Sequence, residues 1–168
     1  ADVSGYLVPV MAVIYVGGAL IILVLNYAKL PETFRLIFYH AFNPTAAAGG
    51  FAGALVKETI TWGVRRGLFS NESGLGSAPI AAAAAKTKNP KRQALVSMTG
   101  TFLDTIVVCS MTGLVIICMG EWDSGVTGAP LTMVAFQAGL SRSMGGLVVA
   151  VGLILFAFST ILGWAYYG

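Results

Sequence analysis

A polar, glycine-rich stretch inside an apolar passage is the part of this sequence best suited to bind a ligand. Residues 70–77 read Ser-Asn-Glu-Ser-Gly-Leu-Gly-Ser, and the runs on both sides are typical of a membrane helix. In lipid, every backbone N–H or C=O group without a partner costs several kcal/mol. An interruption survives there only where it is buried in protein or lines a cavity. The stretch therefore predicts a discontinuous helix whose break is a binding site.

The chemistry open to such a break is the binding of a small zwitterion together with a cation. Free N–H groups at the start of the second half-helix, aided by its dipole, can hold a carboxylate. Free carbonyls at the end of the first half can replace the hydration shell of Na⁺. Ser70, Ser73 and Ser77 add hydroxyls, while Gly74 and Gly76 let a ligand lie against bare backbone. Many secondary transporters build their sites from paired half-helices of this kind.

The composition indicates that the solvent of this chain is a lipid bilayer. Of 168 residues 57% are hydrophobic and 10% charged, whereas soluble domains carry about 25% charged residues. The net charge of +3 comes largely from a basic cluster over residues 86–92. A nucleic-acid partner is not expected, since no basic face accompanies stacking aromatics. The positive-inside rule instead places the cluster in the cytoplasm, as in a protein of the plasma (inner) membrane.

The apolar runs predict an all-α integral membrane fold with four transmembrane crossings, one of them discontinuous. Each run suffices, because about 20 residues at a rise of 1.5 Å cross a hydrocarbon core of about 30 Å. An amphipathic interfacial helix and an extracellular loop helix are predicted as well. Both ends of the chain look like cuts through a larger protein. The predicted spans are 7–27, 51–85 with a break near 70–77, 94–119 and 147–167, with the interfacial helix at 31–43 and the loop helix at 131–140.

Several motifs, in this order, resemble the sodium:alanine (alanine/glycine:cation) symporter family. They are GGFAGA, RGLFSNESGLGSAPIAAAAA, PKRQALV, FLDTIVVCSMTGLVI and FAFSTILGWAYYG. The resemblance covers essentially the whole chain. It implies a LeuT-like fold of two inverted five-helix repeats, in which the first and sixth helices are broken. This chain would then supply helices five to eight, with the break in helix six, and the missing helices of the same parent transporter would be its partners.

The resemblance also implies which residues bind substrate and ion. No catalytic residue is implied, and Na⁺ enters as the coupling ion rather than as a cofactor. The eighth helix would supply the Na⁺ ligands, namely the hydroxyls of Ser159 and Thr160 and the Phe156 carbonyl. Trp164 lies four residues after Thr160, on the same helical face, and both would border the substrate, where a Trp suits alanine or glycine. The broken helix would line the substrate cavity with Phe69, Ser70, Asn71, Glu72, Ser73 and Gly74.

The residues themselves leave several alternatives open. Hydroxyls such as those of Ser159 and Thr160 often bond to carbonyls of the preceding turn of a membrane helix. Asp104 is an intramembrane carboxylate that must have a partner. A structural role, such as bonding freed N–H groups of the sixth helix, is favoured over an influence on the cation. Arg65 and Arg66 fit either an outer gate or snorkelling to the interface.

Taken with the resemblance, these residues predict sodium-coupled symport of small neutral amino acids by alternating access. The alternatives are an ion channel and an intramembrane hydrolase. A serine nucleophile needs a base within hydrogen-bond reach, yet the only histidine, His40, lies on the predicted interfacial helix. An enzyme is therefore not expected. A channel is not favoured either, since nothing in the sequence repeats in the manner of a symmetric filter.

Overall fold

The computed structural model describes residues 2–42, 60–68, 71 and 76–167, and every regular element in that part of the chain is helical. A π-helix, Phe102–Cys109, joins two of the α-helices without a break, and short 3-10 turns lie at Tyr27–Lys29 and Glu121–Asp123. The α-helices are α1 (Asp2–Leu25), α2 (Leu30–Phe42), α3 (residues 60–68), α4 (Ser77–Ala83), α5 (Pro90–Thr101), α6 (Ser110–Met119), α7 (Ala129–Gly139) and α8 (Arg142–Tyr167).

Three helical segments of the described chain are long and apolar enough to cross a bilayer. They are Gly5–Leu25 within α1, Pro90–Met119 from α5 through α6, and Arg142–Ala165 within α8. The all-α membrane class predicted from the sequence is thereby confirmed. The discontinuous crossing predicted over 51–85 lies partly outside the described residues, and α4 within it has only 7 residues. The number of four crossings therefore stays a prediction.

The start of α5 shows how local sequence sets a helix boundary. The side-chain oxygen of Asn89 accepts a hydrogen bond from the backbone N–H of Lys91 at 3.0 Å, and Pro90 occupies the first turn. Asparagine caps a free N–H group at a helix start, and proline loses nothing there because that N–H is unpaired anyway. The helix consequently begins at Pro90, earlier than the predicted span at 94.

The chain divides into two compact units, Ala1–Leu30 with Ile106–Gly168, and Pro31–Thr105. The core of the first unit forms from α1, α6, α7 and α8. Phe136 of α7 is 0% exposed, so α7 packs into this core. Small residues permit this packing, because a Cβ on Gly145 would overlap the Phe136 carbonyl oxygen and one on Gly139 would overlap the Ile22 side chain. The buried core residues are Tyr15, Ala19, Ile22, Leu23, Val115, Cys118, Ala135, Phe136 and Val149.

The π-helix lies where the sequence predicts an uninterrupted span over 94–119. Its eight residues, FLDTIVVC, carry Asp104 and Thr105 among apolar side chains. A π-helix bonds each N–H to the carbonyl five residues back, one more than in an α-helix, and such stretches are frequent at functional sites. The composition of this segment does not distinguish the two helix types, since both need the same apolar residues in a membrane.

Candidate functional site

The helix predicted to be discontinuous is interrupted between α3 and α4. α3 is described up to residue 68, Asn71 lies in a turn, and α4 begins at Ser77. Gly76, directly before α4, has φ 85° and ψ −6°. This left-handed conformation is open to glycine and incompatible with a continuing right-handed helix. The described residues therefore do not form one continuous α-helix here.

Of the six residues predicted to line the substrate cavity on this helix, Asn71 is the one that the structure describes. The GGFAGA motif upstream also lies outside the described residues. The predicted role of the cavity residues in substrate binding stays a prediction. Those outside the described residues are Phe69, Ser70, Glu72, Ser73 and Gly74.

Asn71 bonds both to α3 and to the π-helix. Its backbone N–H and its Nδ2 both donate to the carbonyl oxygen of Gly67, each at 3.1 Å. Its Oδ1 accepts a hydrogen bond from the Thr105 hydroxyl at 2.9 Å. The orientation of the amide follows, because a flipped amide would bring Oδ1 against the Gly67 carbonyl, an acceptor facing an acceptor. The backbone bond spans four residues, as within an α-helix, the Nδ2 bond adds a second donor to the same carbonyl, and Thr105 of the π-helix holds the amide by its other end.

Ser77, the first residue of α4, carries a buried hydroxyl. The residue is 5% exposed, and among the residues that the structure describes its Oγ has no hydrogen-bond partner. An unsatisfied buried polar group costs about 1–3 kcal/mol. The cost is removed when a ligand supplies the missing partner, so Ser77 adds a polar group to the break between α3 and α4. The family resemblance does not single out this residue.

The three oxygen atoms predicted to bind Na⁺ lie within one turn of α8. The hydroxyls of Ser159 and Thr160 both donate to the carbonyl oxygen of Phe156, at 2.9 Å and 2.8 Å. This is the back-bonding that the sequence leaves open as an alternative. Because both hydroxyls bond to the same carbonyl, these two bonds also bring the three oxygens close together. Because a hydroxyl rotates about its C–O bond and keeps two lone pairs, each can turn its proton away and face a cation.

Tyr15 of α1 supports the Phe156 end of this cluster. Its ring meets the Phe156 ring edge-on, with centroids 6.1 Å apart, and packs against Phe136 at 5.2 Å. Its hydroxyl oxygen lies 2.7 Å from that of Thr112, which in turn bonds to the Val108 carbonyl at 2.7 Å. The resemblance gives no role to Tyr15. The sequence does give one indication of its importance, because Tyr15 lies in an uncharged span and a buried phenol needs a hydrogen-bond partner.

Trp164 lies one turn beyond Thr160 on α8, and the residue is 51% exposed. The two residues share a helical face, as the spacing of four predicts.

On α3 the guanidinium groups of Arg65 and Arg66 lie 5.9 Å and 5.7 Å from the centroid of the Trp62 ring. These distances fit cation–π contacts. They leave both the gate and the snorkelling interpretation of the two arginines open.

Comparisons with known proteins show the family of this chain. A family model described as the sodium:alanine symporter family matches residues 1–168. The sodium/alanine symporter AgcS of Methanococcus maripaludis is 56% identical, over 98% of this chain and 36% of its own length. An "Uncharacterized transporter" of Haemophilus influenzae is 56% identical, over 100% of this chain and 37% of its own. The "Probable sodium/glutamine symporter GlnT" of Bacillus subtilis is 39% identical, over 100% of this chain and 34% of its own.

The chain thus spans about a third of the length of these relatives. The family match extends from the first residue to the last and includes all three candidate membrane-spanning helices. The family is one of symporters, which are multi-pass membrane transporters and not a class of enzymes. This chain belongs to the sodium:alanine symporter family.

Proposed function

We propose that this chain is part of a symporter that couples Na⁺ to the movement of small neutral amino acids, with alanine or glycine as substrate. The observation that carries the proposal is the interrupted helix at Asn71 and Gly76 in a chain of this family. An interruption at membrane depth exposes backbone groups that a transporter can use. The name of the AgcS relative supports Na⁺ and alanine, and nothing in the family favours a channel or a hydrolase.

The parent protein would have a LeuT-like fold of two inverted five-helix repeats, in the inner membrane. In this proposal α1 is helix five, α3 and α4 are the halves of helix six, α5 through α6 is helix seven, and α8 is helix eight. The basic residues between α4 and α5 would face the cytoplasm. The other helices of the parent, above all the broken first one, would supply the remaining ligands.

The amino acid would bind at the break, along the predicted residues 69–74 and the hydroxyl of Ser77. Gly76 supports this placement, because a residue without a side chain leaves the backbone before α4 open to a ligand. The buried Ser77 hydroxyl supports it further, since a polar ligand would supply the hydrogen bond that it otherwise lacks among the described residues.

The cation would bind at the oxygens of Phe156, Ser159 and Thr160 on α8. Na⁺ and the amino acid would stabilise the same conformation, so each would raise the affinity of the protein for the other. Trp164, with Thr160, would limit the substrate side chain by its bulk. The GlnT relative, whose name gives glutamine, suggests that the accepted side chain differs among family members.

The proposal is tested by uptake of radiolabelled alanine and glycine into proteoliposomes that contain the full-length parent. An inward Na⁺ gradient should drive saturable accumulation, whereas the same gradient of K⁺ should not. Equal uptake with both ions would contradict Na⁺ coupling. Flux that never saturates would indicate a channel instead.

A further inference from the structure

Tyr15 of α1 touches α8 on two successive turns, directly before the hydroxyls of the proposed cation site. A Cβ on Gly152 would lie 3.4 Å from the Cδ2 atom of the Tyr15 ring, so the ring lies against α8 where that helix has no side chain. One turn later it meets the Phe156 ring edge-on, with 6.1 Å between the centroids. The Phe156 carbonyl is one of the three proposed Na⁺ ligands, and the hydroxyls of Ser159 and Thr160 bond to it. Tyr15 therefore contacts the turn of α8 at which the cation site begins.

Tyr15 is itself held in place by two other helices of the first unit. Its hydroxyl oxygen lies 2.7 Å from that of Thr112 on α6. Its ring packs against the ring of Phe136 on α7, with centroids 5.2 Å apart, and both residues are buried. Because protein interiors are close-packed, a buried ring with contacts on several sides has little room to move. The ring thus forms a fixed surface against which α8 lies.

Contact with this surface sets the rotation of α8 about its own axis. α8 is a continuous α-helix over Arg142–Tyr167, so its successive turns rotate together. A rotation in one direction would drive the Phe156 ring into Tyr15, and a rotation in the other would lose the contact between the two rings. Because the ring and the carbonyl of Phe156 belong to the same turn, the contact that fixes the ring also fixes the direction of the carbonyl relative to α1.

We propose that Tyr15 is a positioning residue of the cation site, which acts through Phe156 to hold this turn of α8 in the orientation that Na⁺ binding requires. The inference rests on the proposed function, because that function places Na⁺ at the oxygens of α8. Tyr15 does not contact the ion in this proposal. Its contribution is to orient the Phe156 carbonyl before the ion arrives, so that less of the binding free energy is used to order the site.

Tyr15→Leu in the full-length parent removes the aromatic contacts and keeps an apolar side chain. At saturating alanine it should raise the Na⁺ concentration for half-maximal uptake by about two- to tenfold, the range that corresponds to one lost aromatic pair. At saturating Na⁺ the alanine concentration for half-maximal uptake should stay close to the wild-type value, because the proposed amino acid site is at the break. Tyr15→Phe retains the ring and should restore most of the wild-type Na⁺ affinity.

Leu23→Ala is the matched control for a loss of stability alone. Leu23 is buried in the same core, about two turns beyond Tyr15 on α1, and its truncation should destabilise the protein without moving the Na⁺ curve. Gly152→Ala is the control on α8, since its added methyl would make an ordinary contact with the Tyr15 ring. The proposal is overturned if Tyr15→Leu leaves the Na⁺ curve unchanged or shifts the alanine curve equally. It is also overturned if Tyr15→Phe is as defective as Tyr15→Leu, or if either control causes the same shift.

A binding measurement separates this inference from the proposed function. Radioactive Na⁺ is titrated onto the purified parent without amino acid, and Tyr15→Leu should bind it more weakly than the wild type. If the wild type binds no Na⁺, the proposed function fails and the inference fails with it. If the wild type and Tyr15→Leu bind Na⁺ equally well, the proposed function stands and the positioning role alone is overturned.

A second variant gives the same decision if Tyr15→Leu does not fold. Phe156→Leu removes the ring that Tyr15 touches and keeps the backbone carbonyl that is proposed to bind the ion. It should weaken Na⁺ binding by about two- to tenfold as well, since the same aromatic pair is lost. Na⁺ binding equal to that of the wild type would overturn the proposal, because the orientation of the carbonyl would then not depend on the contact between the two rings.

Discussion

The phenolic oxygen of Tyr15 lies 2.7 Å from the hydroxyl oxygen of Thr112, and this bond ties α1 to α6 within the first unit. Thr112 has a single proton and donates it to the Val108 carbonyl at 2.7 Å, so Tyr15 is the donor between the two hydroxyls. The Tyr15 ring is 7% exposed and touches the rings of Phe136 and Phe156. A single residue thus connects three further helices to α1.

Tyr15→Phe removes this bond and keeps the ring. In the full-length parent it should lower the free energy of unfolding by about 0.6 kcal/mol, the mean value for side-chain bonds within membrane proteins. Tyr15→Ala should lower it by about 3–5 kcal/mol, because the aromatic contacts are lost as well. Denaturant unfolding of the purified protein measures both. Thr112→Val is the matched partner, and a loss in the double variant Tyr15→Phe/Thr112→Val equal to the sum of the single losses would contradict the bond.

Replacing both Ser159 and Thr160 with Ala should raise the Na⁺ concentration for half-maximal uptake by about tenfold or more. Bonds to a charged group contribute about 1.5–3 kcal/mol, and two of the three proposed ligands would be lost. Uptake measured against Na⁺ concentration checks this, with Ser143→Ala at the exposed start of α8 as the control. If the hydroxyls serve only to back-bond the Phe156 carbonyl, the Na⁺ curve stays where it is, and that result would remove the proposed cation site.

Trp164→Ala should widen the range of substrates. A pocket that loses a large ring admits longer side chains, and each methylene accommodated changes discrimination by about 1–3 kcal/mol. Competition of unlabelled neutral amino acids against labelled alanine should show larger competitors gaining potency relative to alanine. Trp164→Phe should give larger competitors a potency between those seen with the wild type and with Trp164→Ala. Trp122→Ala in the 3-10 turn Glu121–Asp123 serves as the control. An unchanged order of competitors would place Trp164 outside the pocket.

Ser77→Ala should act in opposite directions on stability and on substrate affinity. Removal of a buried hydroxyl that has no partner among the described residues leaves the ligand-free protein as stable as before or more stable, since its desolvation cost disappears. Alanine binding should weaken, because the ligand loses the same hydroxyl. Thermal unfolding without substrate and half-saturation of uptake measure the two effects. Loss of stability together with unchanged affinity would show that Ser77 is structural.

The long helices can be predicted from the sequence because the residues that indicate them are adjacent in the chain. The apolar runs that become α1 and α8 need no partner to be recognised, since their length and lack of charge already match a bilayer. The break is recognisable for a similar reason, because two glycines and several hydroxyls in an apolar run conflict with a regular helix. The start of α5 also has a local signal, Asn89 before Pro90, although the predicted span begins later.

The contacts that organise the candidate site have no such local signal. Tyr15 and Thr112 are 97 positions apart, and Asn71 and Thr105 are 34 positions apart. Which residues meet over such separations depends on helix packing and on the rotation that the π-helix adds, and neither changes the pattern of apolar residues. The burial of Phe136 is similar, since it depends on Gly145 letting α7 and α8 approach closely.

Equilibrium binding of alanine to the purified full-length parent, in sodium chloride and in choline chloride of equal ionic strength, measures how Na⁺ and the amino acid are coupled. If Na⁺ and alanine stabilise the same conformation, Na⁺ should raise the affinity for alanine, and alanine should raise the affinity for Na⁺ by the same factor. Asn71→Ala and Ser77→Ala should weaken alanine binding in sodium chloride. The same alanine affinity in both salts, or binding that neither variant at the break alters, would contradict the claim that the interrupted helix binds a Na⁺-coupled amino acid.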